Sequence, residues 1–88
     1  MLYVIIAELN DPQKDYTGFH DEIHSFGPWA HYTSTIWAVD TTLDAKTMSD
    51  RLRVHTSDKD FHLILPFGYP YQGWLPKDFW DWLNQHRY

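Results

Sequence analysis

The run Leu2-Tyr3-Val4-Ile5-Ile6-Ala7-Glu8-Leu9-Asn10-Asp11 begins apolar and closes on a carboxylate and a turn. Residues 2–9 read as a buried strand, and Asn10-Asp11-Pro12 as the turn that ends it. Strand side chains alternate, so Tyr3, Ile5, Ala7 and Leu9 share one face while Val4, Ile6 and Glu8 share the other. Both faces are therefore apolar at mid-strand, and both need something to cover them.

Outward from this strand the chain punctuates itself. Tyr16, Phe19, Ile23 and Phe26 recur at helical spacing, which predicts an amphipathic helix over 15–26, capped near Gly27 and stopped by Pro28. Residues 29–33 and 35–41 are aromatic and β-branched and read as two strands joined tightly at Thr33-Ser34. Asp44 is a natural N-cap for a second helix, with Leu43 and Met48 spaced as a hydrophobic staple. Ala45, Met48, Leu52 and His55 form its inward stripe. A fourth strand spans 60–67, an aromatic loop follows over 68–75, and a C-terminal helix of about 76–86 carries Phe79, Trp82 and Leu83 on one face.

The order β-α-β-β-α-β plus a helix predicts a single α+β domain over 1–88 of ferredoxin-like type. Two helices should cover one face of a four-stranded antiparallel sheet. In the third strand Trp37 and Val39 oppose Ile36, Ala38 and Asp40; in the fourth, Phe61, Leu63 and Leu65 oppose His62 and Ile64. Bulk suggests that Trp37, Val39, Phe61, Leu63 and Leu65 face the helices. The second face then has an aliphatic middle and a polar rim of Glu8, Asp40 and His62, which suits a homodimer surface.

Totals bound the function. Eighty-eight residues without cysteine rule out disulfide and thiolate-zinc staples, and so small a chain buries only a modest core. Five Trp, six Tyr and five Phe suggest an aromatic core, a face shared with a second copy, or both. No apolar run is long enough to span a membrane and no signal peptide is apparent, so a soluble, cytoplasmic protein is expected. A net charge of −5, with scattered lysines, argues against non-specific duplex binding but permits a nucleotide or protein ligand.

Several segments resemble the SinR-like family: Ala7-Glu8-Leu9-Asn10, Lys14-Asp15-Tyr16, Trp29-Ala30-His31-Tyr32, Thr35-Ile36-Trp37-Ala38-Val39-Asp40-Thr41 and Gly73-Trp74-Leu75-Pro76. That family is related to the small CRISPR adaptation endonucleases and the VapD ribonucleases. The resemblance implies a ferredoxin-like homodimer in a prokaryotic defence or mobile-element system. It also implies a carboxylate from each copy meeting at the dimer axis, able to hold magnesium or manganese for phosphodiester cleavage. Glu8 stands where the wider group carries Asp. The longer side chain moves the carboxylate by about a bond length, and magnesium tolerates little misplacement.

Glu8 is thus the candidate catalytic carboxylate, ligand-binding group and metal ligand; its plainer role is a solvated rim carboxylate. Asp11 would be a second ligand-binding residue or, before Pro12, simply a turn residue. His31 and Tyr32 are candidates for proton transfer, and His31 also for ligand contact; otherwise they are ordinary strand residues. Trp74, with Tyr69, Tyr71, Trp80 and Trp82, could stack bases, or pack in a core or dimer. His20 and His24 share a helix flank, but the sequence offers no third ligand beside them.

The reading that follows is a small dimeric binding protein for a nucleotide, a short nucleic acid or a protein partner, with Glu8, His31 and loop aromatics lining a pocket at the axis. The alternative is a metal-dependent endoribonuclease using paired Glu8 carboxylates. A third is a structural dimer that contacts another protein through its Trp-rich C-terminal segment.

Overall fold

A computed structural model describes residues 1–86; Arg87 and Tyr88, the last residues of the expected domain, lie outside the described residues. The elements run β1 (Leu2–Glu8), α1 (Thr17–Ser25), β2 (Trp29–Ala30), β3 (Ile36–Asp40), α2 (Ala45–Arg53), β4 (Phe61–Pro66) and α3 (Lys77–Gln85). The strands form one sheet in the order β2-β3-β1-β4, with every neighbouring pair antiparallel. This is an α+β architecture compatible with the ferredoxin-like fold.

β1 and β3 are the inner strands, and β1 joins β3 to β4. Tyr3, Ile5 and Ala7 join Trp37 and Val39 of β3 beneath Phe19 and Ile23 of α1 and Met48 and Leu52 of α2. Phe19 meets Trp37 edge to face at 5.8 Å. Burying each large aliphatic side chain here stabilises the fold by about 1.5–3 kcal/mol.

The helix ends follow their local chemistry. The Asp44 carboxylate accepts from the Thr47 amide at 2.8 Å, as an N-cap should. α1 begins at Thr17 rather than at residue 15, because the Asp15 carboxylate folds back to accept from the Thr17 amide and hydroxyl. Gly27, just past the Phe26 cap, has φ +149°, and a Cβ there would collide with the Asp40 carbonyl.

Two expectations are corrected. The second and third strands are shorter than read. β2 ends at Ala30, His31 stacks on Trp37 at 3.9 Å, and 31–35 is an open bend and not a tight turn at Thr33-Ser34. The facing of β4 is also inverted. Pairing with β1 sets Ile64 opposite Ile5 and His62 opposite Ala7, so these two face the helices, while Phe61, Leu63 and Leu65 face away. Register decides the face, and bulk does not. His62 belongs to the helix side and not to the polar rim; it shares a 2.7 Å hydrogen bond with Ser49 of α2.

α3 packs on the opposite face. Phe79 and Leu83 are buried against Ala30 and Ala38, with Trp82 partly buried beside them. No helix among the described residues is long and apolar enough to cross a membrane.

Candidate functional site

α3 and its preceding loop cover the β2-β3 side of this second face and reach Val4 of β1, but leave Ile6 and most of β4 uncovered. On the β1-β4 side, Ile6 stands opposite Leu63, Val4 opposite Leu65 and Glu8 opposite Phe61. Ile6, Phe61, Leu63 and Leu65 are 40%, 63%, 59% and 36% exposed, an apolar strip running along an edge strand. Glu8 stands exposed at the end of that strip, and with Ile6, Phe61, His62 and Leu63 it lines a shallow pocket of about 160 Å³.

The turn beside Glu8 is held firmly. Asp60 accepts from the Tyr16 hydroxyl at 2.6 Å, the Asn10 amide at 2.7 Å and the Ser57 amide at 2.9 Å. Burial alone would raise its pKa. The Tyr16 hydroxyl, the amides and the Ser57 hydroxyl outweigh that and bring it down to about 2. Asp11 sits within this turn: its carboxylate accepts from the Gln13 amide at 3.0 Å, and its own amide donates to the Tyr16 hydroxyl at 3.0 Å. Its geometry is that of a turn residue.

The other candidates lie elsewhere. His31 is on the helix side, stacked on Trp37 at 3.9 Å, with the His20 ring 5.9 Å from it and 5.7 Å from Trp37. Burial pushes its pKa down, a hydrogen bond to the Ser34 backbone pulls it partly back, and nearby His20 and His24 press it lower again. Tyr32 is exposed, with its ring 5.7 Å from Phe79 of α3. Trp74 is almost wholly exposed in the loop before α3. Within one chain, then, Glu8 and His31 occupy opposite faces of the sheet and line no common pocket.

A divalent cation needs several oxygen ligands, and magnesium is commonly held by one or two carboxylates plus water. Among the described residues, Glu8 is the one carboxylate lining its shallow pocket, and no group of three or more His, Asp or Glu side chains is placed to hold a metal. A second copy contributing its own Glu8 would raise this to two carboxylates.

Some strong polar contacts carried no readable signal in the sequence. Glu22 of α1 accepts from Arg51 of α2 through Nε at 2.9 Å and Nη2 at 2.7 Å, and it lies 3.1 Å from His55 Nε2. The His55 and Arg51 contacts, against the effect of burial, hold the Glu22 carboxyl below its usual range. These residues are tens of positions apart, so spacing along the chain could not reveal them. Compared with protein-family models, curated proteins and solved structures, the chain matches none.

Proposed function

We propose that the chain works as a homodimeric binding protein, with a second copy seated on the apolar strip of β1 and β4. The observation that carries this reading is the contiguous exposure of Ile6, Phe61, Leu63 and Leu65 beside a sheet edge. Contiguous apolar patches mark association surfaces, and an uncovered strand edge invites pairing. A two-fold contact there is self-complementary, and an axis at the Phe61 end of the strip would bring the two Glu8 side chains together. The SinR-like resemblance supports the same assembly, with a nucleotide, a short nucleic acid or a protein of a prokaryotic defence or mobile-element system as ligand. Charge weighs against duplex DNA, because Arg51 is held by Glu22 and Arg53 by Asp58 in a chain of net charge −5.

The test couples assembly to binding. Melting temperature is followed with nucleotides and short RNA for the wild type, Glu8→Gln and Leu63→Asp. A ligand-dependent rise that both substitutions abolish supports a site at the seam. No rise with any ligand would contradict nucleotide binding and leave a protein as the ligand class.

One observation favours a second reading, a metal-dependent endoribonuclease: Glu8 is exposed on the same face as the strip that would join two copies. Bound magnesium or manganese would supply Lewis-acid chemistry at the phosphodiester, and the chain's own part would be to hold it through paired Glu8 carboxylates. Manganese-dependent cleavage of labelled RNA that vanishes in Glu8→Gln would select this reading over pure binding.

A further inference from the structure

A hollow of about 260 Å³ lies between α3, the loop before it and the sheet. Val4, Ile36 and Ala38 form its floor, and Tyr71, Leu75 and Trp80 stand at its walls. The contrast with the other face is sharp. Beneath α1 and α2, Ile5, Trp37 and Met48 are fully buried, whereas Ile36, Tyr71, Leu75 and Trp80 are only partly buried around the hollow. Close packing is the norm for protein interiors, so an apolar concavity of this size is a distinct feature of the α3 side.

We propose that this hollow binds a small neutral aromatic molecule of one or two fused rings. Size sets the upper bound: a dry apolar cavity of about 150 Å³ accepts benzene, and this one is larger. Charge sets the class. No charged side chain among the described residues lines the hollow, so an ionised ligand would lose its hydration without gaining a partner. The walls set the preference for rings: Tyr71 and Trp80, themselves stacked 19° apart in plane and 6.3 Å between centroids, offer aromatic surface against which a flat apolar ring packs. Gln72 lines the same hollow and brings an amide that can donate to or accept from one polar ring atom. The hollow adjoins the Ile6–Leu63 strip, because Val4 of its floor pairs with Leu65, but its walls all come from α3 and the loop of a single chain.

Indole is the probe, and indole-3-acetate is its charged counterpart. Methyl NMR of the full chain during an indole titration should give saturable shifts centred on Ala38, Leu75 and Val4. Val4→Phe, which fills the floor, should weaken indole binding by at least about tenfold, and so should Leu75→Trp, which fills the hollow from the loop. Circular dichroism identifies which variants stay folded, and Leu75→Trp carries the comparison if Val4→Phe does not. Indole-3-acetate should bind at least about tenfold more weakly than indole. Non-saturable shifts, undiminished binding in the folded filled variant, or equal binding of the charged probe would each overturn the proposal.

Discussion

Ile6 and Leu63 stand opposite each other across β1 and β4, on the sheet face away from α1 and α2 and beyond the reach of α3. One residue along each strand, Ile5 and Ile64 are also paired, but toward the helices. The same two strands thus present one aliphatic pair to the core and one to the outside. At concentrations low enough to keep chains apart, Ile5→Ala should lose about 2–5 kcal/mol of stability. Leu63→Ala should lose less than about 1 kcal/mol. Urea denaturation measures both; equal losses would mean that Leu63 is covered within the single chain.

Gly27 gives a backbone prediction. Its φ of +149° and the Asp40 carbonyl beside it leave no room for a side chain. Gly27→Ala should cost about 1–3 kcal/mol, whereas Gly73→Ala, with nothing within 4 Å of the new methyl, should be close to neutral. Thermal melting of the two variants checks the difference.

The Asp44 cap on α2 is exposed and local. Asp44→Ala should lower stability by about 1 kcal/mol and Asp44→Asn by much less, since the amide oxygen can still accept from Thr47. A loss as large in Asn as in Ala would show that the cap bond is not the source.

Stability should fall with acid in two windows. His31 and His62 are both held below the ordinary 6.5, mainly by burial, so the unfolded chain takes up protons first. Their contribution is fully present above about 6.5 and is lost as pH falls from there through the lower folded values. Asp60, lowered from 3.8 to about 2, contributes fully above 3.8 and is lost as pH falls toward 2. Urea midpoints across pH should show both declines. His62→Gln should shrink the first and Tyr16→Phe the second, because Tyr16 donates to Asp60.

Element order, the α2 cap and the alternation of β1 were legible in the sequence because each rests on near neighbours. Asp44 lies three residues from Thr47, and Tyr3, Ile5 and Ala7 follow a simple period of two. The facing of β4 was not legible, since both of its faces carry aliphatics and only the register with β1 separates Ile64 from Leu63. Of the candidate site, Glu8 was legible as an exposed carboxylate at a strand end. The separation of His31 from it was not, because that depends on the β2-β3 register, which sets His31 on the Trp37 side of the sheet.

The central claim is that the strip on β1 and β4 joins two copies. Light scattering on the eluting protein, over a concentration series, measures it directly. The account predicts twice the chain mass for the wild type and a folded species of single-chain mass for Leu63→Asp. A wild-type protein of single-chain mass at every concentration, or a Leu63→Asp variant that remains a dimer, would contradict it.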